Sequence, residues 1–134
     1  MKALTKKQIE NIRKNPHKVN WNAISYSKKL SEDFIREFQD KLNWSYISYN
    51  QAHTEDFIRE FQDKVEWSGI SQYQTLSEDF IREFQKEVNW FYISCRQKLS
   101  KDFIREFKDK LNDEGDEEWG ELIEGIDDLV NVVK

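Results

Sequence analysis

The chain has 134 residues, of which 35% are charged and 14% aromatic, and only four are Gly and one is Pro. This composition predicts one folded domain with an aromatic core and argues against a loop-rich or disordered chain. The single cysteine, Cys95, excludes an intramolecular disulfide. No apolar run suits a secretory signal or a membrane span, so we expect a cytoplasmic protein.

The net charge of -5 is distributed unevenly along the chain. Residues 1–30 carry eight Lys or Arg and one Glu, whereas residues 113–134 carry one Lys and nine Asp or Glu. Residues 31–112 are nearly balanced, with twelve basic and sixteen acidic side chains. Such a polarity of charge bears on partners and on self-association rather than on the fold.

The first segment, residues 1–20, is interpreted as a partial repeat that opens the array. Gln8 stands where the later copies carry a core Phe, as expected of a terminal repeat whose outer face meets water. Pro16 is expected to end the helix of this segment at or before Asn15.

Four full repeats follow, and their period is 23 residues throughout. The stretch Ser-Glu-Asp-Phe-Ile-Arg-Glu-Phe begins at Ser31 and recurs with small changes from Thr54, Ser77 and Ser100. A second motif, Trp-x-x-Ile-Ser, recurs with the same period. A fixed period in this range indicates a repeat architecture. The repeats are residues 21–43, 44–66, 67–89 and 90–112.

Each repeat contains two helical segments. The first begins at a Trp such as Trp44, usually after an Asn that suits the N-cap. The second begins after Ser31 or its equivalents, with apolar residues at positions 34, 35, 38 and 42 in a helical stripe. We expect this second helix to have about eleven residues, with a length of roughly 16 Å. The i,i+4 pairs that would support it are Glu32/Arg36 and Glu37/Lys41.

One such helix pair cannot bury its own apolar residues, so neighbouring repeats must stack on one another. The predicted fold is therefore an all-α solenoid of helix-turn-helix repeats, each with a short helix and a longer helix, within a single domain covering residues 1–134.

The final segment, residues 113–134, breaks the register. From Trp119 to Val133 apolar residues recur at helical spacing beneath an acidic outer face, which predicts an amphipathic helix. One interpretation is a helix that caps the fourth repeat. The alternative is an interface, either for a homodimer through Trp119–Val133 or for a partner.

The repeat unit Trp-x-x-Ile-Ser-x-x-Gln-x-Leu-Ser-Glu-Asp-Phe-Ile-Arg-Glu-Phe resembles a short tandem repeat found in proteins of bacteriophages, giant viruses and some protists. The resemblance covers residues 21–112 and is close from Trp67 to Phe84. It implies a helical array and a viral setting more than an activity, because that family is largely of unknown function. In size and character the chain also resembles viral inhibitors of host defence, including anti-CRISPR proteins, which implies a host-cell location.

The sequence contains no pattern typical of an enzyme, a metal site or a cofactor site. His53 replaces a core Leu and is interpreted as a partly buried packing residue rather than a general base. Cys95 has no recurring His partner, which favours an inert thiol over a nucleophile. The carboxylates follow helix starts and i,i+4 pairs, not calcium or zinc patterns, and no Gly-rich phosphate loop occurs.

One arginine per repeat forms a regular series. Either it tracks a phosphate backbone, or it forms salt bridges between repeats. The second interpretation is favoured, because adjacent carboxylates would repel phosphate. The four residues are Arg36, Arg59, Arg82 and Arg105.

The positions that vary between repeats are the second, third, sixth and seventh of each first helix, and they include all five tyrosines. A fixed scaffold diversified on one helix face is typical of a binding surface, and Tyr is enriched in interfaces. The alternative is that some tyrosines only cover the groove between repeats. The predicted partner-binding residues are Tyr26, Tyr46, Tyr49, Tyr73, Phe91, Tyr92 and Arg96.

These observations predict a non-catalytic protein-binding module, acting as an inhibitor or adaptor on a host protein. The acidic tail is a second candidate element, through Glu114, Asp116, Glu117, Glu118, Glu121 and Glu124. The alternative function is nucleic-acid binding, because basic residues interleaved with an aromatic such as Tyr26 suit single strands. The basic residues concerned are Lys6, Lys7, Arg13, Lys14, Lys18, Lys28 and Lys29.

Overall fold

A computed structural model describes residues 1–112 of this chain. Two short strands are β1, Lys2–Ala3, and β2, Lys28–Lys29. The helices within the described residues are α1 Lys6–Lys14, α2 Trp21–Ser27, α3 Glu32–Glu37, α4 Trp44–Asn50, α5 Glu55–Glu60, α6 Trp67–Tyr73, α7 Glu78–Glu83, α8 Trp90–Arg96, α9 Lys101–Glu106 and α10 Lys108–Asn112.

The predicted all-α repeat fold is confirmed. Every repeat contributes a first helix that begins at its Trp and a second helix that begins after its Ser or Thr. Contacts within the chain group it into two compact units, Met1–Gln74 and Thr75–Lys134. The first unit holds α1 to α6, and the second holds α7 to α10 in its described part. The predicted C-terminal helix, residues 113–134, lies outside the described residues.

The helix starts are the ones that the cap residues predict. The Ser31 side chain accepts a hydrogen bond from the Phe34 amide, and Thr54, Ser77 and Ser100 do the same in their repeats. Asn20, Asn43 and Asn89 cap the first helices, while Glu66 makes no side-chain cap. Each cap satisfies one amide that the helix itself leaves without a partner.

The second helices are shorter than predicted. Each has six residues, not about eleven, because the backbone at Phe38 has φ -111° and ψ 26° and leaves helical geometry. A hydrogen-bonded turn continues the chain, with the Leu42 amide donating to the Phe38 carbonyl at 3.2 Å. The Gln39 side-chain amide donates through Nε2 to the Arg36 carbonyl at 3.0 Å and so satisfies a helix end. The backbone carbonyl of Gln39 accepts the Trp44 indole N–H at 2.8 Å.

The core consists of the predicted apolar stripe. Phe57 and Ile58 in the first unit, and Phe80 and Ile81 in the second, have no exposed surface. The Trp44 ring packs on Phe61 with a centroid distance of 5.0 Å. Aromatic pairs of this kind add to the stability that burial alone supplies.

The N-terminal segment contains one element that was not predicted. Helix α1 begins with a capping box between Thr5 and Gln8 and ends at Lys14, two residues before Pro16. Before it, β1 pairs in parallel with β2, in the register Lys2↔Lys28 and Ala3↔Lys29. Two residues are too few for any alternating pattern, so the sequence carried no signal for this pairing.

The predicted i,i+4 ion pairs are replaced by others. Arg36 contacts Asp33 at i,i+3 and Glu60 of the following repeat, not Glu32. Glu32 instead accepts hydrogen bonds from the Thr54 amide and hydroxyl. Glu37 pairs with Arg13 at 2.8 Å instead of with Lys41. Arg36 thus keeps one ion pair on its own helix, with Asp33, while its other pair and the contacts of Glu32 and Glu37 reach neighbouring segments of the array.

Candidate protein-binding surface

The candidate surface belongs to the first helices of the first unit, α2, α4 and α6. Their sequences, WNAISYS, WSYISYN and WSGISQY, contain no charged residue, although 35% of the chain is charged. The fourth and fifth positions of these helices face the interior, where Ile47 and Ile70 are fully buried. The exposed residues of these helices all lie at variable positions, although one variable position, Gly69, is buried.

Buried serines and glutamines hold successive first helices together. The Ser25 hydroxyl donates to the Trp21 carbonyl at 2.7 Å and accepts the Asn43 amide of the next repeat at 3.0 Å. Gln51 reaches back to the first repeat, where it accepts the Leu30 amide at 3.1 Å and donates to backbone carbonyls. These bonds fix the spacing of α2 and α4, and so of the side chains on their outer side.

Gln74 repeats this arrangement one step along the chain. Its side chain is 5% exposed, accepts the His53 amide at 3.0 Å and donates to the carbonyls of Ser48 and Gln51. In the second unit, Gln97 likewise accepts the Leu76 amide at 3.1 Å. The glutamine recurs at the same position of successive repeats. This recurrence was the sequence signal for a structural role, but no role had been predicted for it.

Two of the predicted tyrosines form an exposed pair between repeats one and two. Tyr26 on α2 and Tyr46 on α4 meet edge to face, with ring centroids 5.3 Å apart. Tyr26 is 59% exposed and Tyr46 38% exposed. Beside them, the Asn43 side-chain amide donates through Nδ2 to the Asn22 side-chain oxygen at 3.0 Å. The pair is thus a preorganised aromatic feature with neutral polar neighbours.

Tyr49 has a different role from its exposed neighbours. Its ring is half-buried, packs at 5.5 Å from Tyr73 on α6, and its hydroxyl lies 2.9 Å from the Ser68 hydroxyl. The ring occupies the space where a side chain on Gly69 would project. Tyr49 therefore covers the groove between α4 and α6, while Tyr73 remains 54% exposed.

Together these four residues form a tyrosine strip, defined as Tyr26, Tyr46, Tyr49 and Tyr73. Tyr46 and Tyr49 are at i,i+3 on α4 and so are neighbours on its surface. The strip therefore crosses three adjacent helices. Ser68 and Gly69 position Tyr49 but were not among the predicted site residues, although a Gly inside a helix is itself a signal of close packing.

The remaining predicted aromatic residues lie in the second unit, on α8. Phe91 is 45% exposed and meets Tyr92 edge to face at 5.4 Å. Arg96 and Cys95 are exposed on the same helix. These residues form a smaller aromatic feature that has a cation at its end.

The arginine series forms salt bridges between repeats, as the favoured interpretation had it. Arg36 donates through Nε to both carboxylate oxygens of Glu60, at 2.8 and 3.0 Å, and lies 5.6 Å from the Phe57 ring centre. In the second unit, Arg82 makes the equivalent bond to Glu106 at 2.6 Å. With carboxylates on these guanidinium groups, the series does not present free cations to phosphate.

The basic N-terminal residues are not all available either. Arg13 makes a bidentate pair with Glu37, both distances being 2.8 Å, and this hydrogen bonding lowers the pKa of the Glu37 carboxyl. Lys6, Lys7 and Lys14 are exposed. The alternative nucleic-acid site therefore retains its lysines but not its arginine.

His53 is the partly buried packing residue that the sequence predicted. Its ring stacks on Phe57 at 4.6 Å, and Nε2 lies 2.9 Å from the Ile47 carbonyl. Nδ1 is buried without a hydrogen-bond partner. Burial lowers the pKa of His53, so the neutral ring is favoured, with Nε2 as the donor.

No group of three or more His, Cys, Asp or Glu within residues 1–112 is arranged to hold a metal ion. In the same range, no helix is both long and apolar enough to cross a membrane. The acidic-tail candidates, Glu114 to Glu124, lie outside the described residues.

Comparison with known proteins gives no relatives: no family model, no curated protein and no solved structure matches this chain. The candidate function is therefore argued from the geometry of the described residues.

Proposed function

We propose that this protein is a non-catalytic protein-binding repeat module and that the tyrosine strip is its main contact surface. The observation that carries the proposal is the absence of charge on three adjacent helices that expose phenol rings, in a chain so rich in charge. Elsewhere the described surface is laced with ion pairs. An uncharged aromatic area amid them is a site where another surface can be desolvated at low cost.

The composition of the strip supports a protein partner. Its helices offer Tyr, Ser, Asn and Gly, the residues that dominate antibody contact loops, where Tyr supplies rigid area and the small polar residues supply adaptable hydrogen bonds. Buried glutamines and serines hold these helices in place, so little ordering is needed on binding. A nucleic-acid surface would require a stripe of cations along the same path, and the strip has none.

The resemblance of the repeat unit adds a proposal about the setting. A viral origin, a host-protein target and an inhibitory or adaptor role, of the anti-defence or anti-CRISPR kind, rest on that resemblance and on the size of the chain. The surface chemistry supports a protein partner of any origin.

The experiment compares capture from a host lysate by the wild-type chain and by Tyr26→Ala/Tyr46→Ala. Both rings are exposed, so their loss should leave the fold intact, as circular dichroism can verify. We expect the variant to lose the proteins that the wild type retains, because interface tyrosines are frequent hot spots. The matched control is Asp63→Ala/Lys86→Ala, two exposed residues outside the first helices. Equal capture by all three proteins would contradict the proposal.

A further inference from the structure

The tyrosine strip ends beside a group of lysines that the chain brings together from two places. The parallel pairing of β1 with β2 sets Lys2 opposite Lys28 and Ala3 opposite Lys29. Lys28 follows Tyr26 by two residues, so their Cα atoms lie within about 7 Å of each other. We call Lys2 and Lys28 the basic cluster; Lys29, the next residue of β2, projects to the opposite side, with Ala3 as its strand partner.

Within residues 1–112, the basic cluster contacts no counter-charge: neither of its two lysines forms an ion pair there. Residues opposite each other in paired strands project to the same side, so Lys2 and Lys28 are like charges held close together. Such an arrangement costs free energy, and an incoming anionic group would relieve that cost.

The distribution of charge distinguishes between two kinds of anionic partner. A nucleic acid carries a phosphate at every nucleotide and would need cations along the whole strip. The cations are found at one end only, while α2, α4 and α6 contribute none. A polypeptide can match this pattern, because it can place carboxylates at one end and uncharged side chains beyond them.

We propose that the tyrosine strip and the basic cluster together bind a segment of another protein that carries Asp or Glu at one end and uncharged apolar or aromatic residues after it. The inference rests on the proposed function and names the chemistry of its partner. The carboxylates meet the basic cluster, and the apolar residues cover Tyr46 and Tyr73. The charges chiefly set the direction of the segment and raise its association rate, while the tyrosines supply affinity.

The size of the strip sets the length of the segment. Adjacent packed helices are about 8–10 Å apart, so three helices span roughly 20 Å. An extended chain covers that distance with about six residues. With its acidic end included, the segment has about ten residues.

The probe is therefore a random library of peptides about ten residues long, selected on the immobilised full chain. We expect the enriched peptides to carry two or more carboxylates near one end and apolar or aromatic residues beyond. The best peptide is then labelled and its Kd measured by fluorescence anisotropy against the wild type and three variants, at low and at high salt.

The variants separate the two parts of the surface. Lys2→Ala/Lys28→Ala should weaken binding by about fivefold, as expected for two rim charge pairs, and reduce its dependence on salt. The matched control, which removes the same charge from α1, is Lys6→Ala/Lys7→Ala and should bind like the wild type. Tyr26→Ala/Tyr46→Ala should bind most weakly.

Several outcomes would overturn the inference. One is selection of peptides without carboxylates, another is an equal loss in the two lysine variants, and a third is tighter binding of oligothymidine than of any peptide. No enrichment at all would also count against it. If the selected peptides lack acid but depend on Tyr26 and Tyr46, this inference fails while the proposed function stands. If binding ignores the tyrosines, the proposed function itself fails.

Discussion

The ring of Tyr49 lies against the backbone of Gly69, in the space that any larger residue at position 69 would fill. A Cβ on Gly69 would stand 2.8 Å from Tyr49 Cδ2 and 3.2 Å from Ser48 Cβ. The two residues belong to successive repeats, and the Tyr49 ring takes the space that Gly69 leaves empty. The missing side chain lets Tyr49 close the groove and pack beside Tyr73.

This contact predicts that the effect of Gly69→Ala on stability changes sign when Tyr49 is also replaced. Gly69→Ala should destabilise the protein by about 1–2 kcal/mol, because the overlap with the Tyr49 ring outweighs the helix propensity gained. In a Tyr49→Ala background the overlap is gone, and Gly69→Ala should then stabilise by about 0.5–1 kcal/mol. Urea unfolding of the four proteins measures the coupling. Additive effects would show that the two residues do not share this space.

The burial of core residues predicts that a substitution in the interior of the array destabilises the protein more than one at its end. Phe57→Ala should cost about 3–5 kcal/mol, because the side chain is fully buried and leaves a cavity. Ile9→Ala in α1 should cost about 1–2 kcal/mol, since Ile9 is only half-buried on a terminal helix. Urea melts of both variants test this, and equal losses would argue against stacked repeats.

Replacing a buried glutamine by an apolar residue is expected to destabilise the protein, because greater hydrophobicity does not replace the lost hydrogen bonds. Gln74→Leu should destabilise by about 2–4 kcal/mol, because the His53 amide and the carbonyls of Ser48 and Gln51 lose their partner inside the protein. Gln72→Leu, two residues away and half-exposed, is the control and should change stability by less than about 0.5 kcal/mol. A Gln74 variant as stable as this control would mean that the glutamine series is not structural.

His53 predicts a pH dependence. Burial lowers the pKa of His53, so the unfolded chain binds a proton more readily than the folded one. Its contribution to stability is therefore present above the ordinary His pKa of about 6.5 and is lost as the pH falls through the lowered value. His53→Leu should raise stability by about 1 kcal/mol at pH 7, since it removes a buried nitrogen without a partner.

The same substitution should flatten the fall in stability between about pH 7 and pH 5. Thermal or urea unfolding across this range measures the slope. His17→Gln changes an exposed histidine and serves as the control. A slope that persists in His53→Leu would assign the pH dependence to another group.

Most of the fold could be predicted because the same local sequence pattern occurs in every repeat. The caps at Ser31 and Asn43, the buried stripe through Phe57, and the helix stop before Pro16 are each decided by a few neighbouring residues. Local hydrogen bonding and the 3.6-residue period act over that same short range, so inspection of the sequence finds them.

The length of the second helix was overestimated because the spacing of apolar residues carries no information about a change in backbone angles. The stripe continues through Leu42, and it is the Phe38 backbone that departs from helical geometry. At this helix end the Gln39 side chain donates to the Arg36 carbonyl, and the Trp44 indole of the next repeat donates to the Gln39 carbonyl. Each of these two hydrogen bonds could form with several other partners, and the folded chain decides which one is made.

The 23-residue period, the helix pair in each repeat and the set of tyrosines that vary could all be derived from the sequence. Which tyrosines are exposed and which fill a groove depends on residues of other repeats, such as Gly69 beneath Tyr49, and is visible only in the folded structure. It alone set Lys2 beside Lys28, through a pairing too short to leave a pattern. Helical propensity acts over one turn, whereas a surface forms from side chains that meet across turns and repeats.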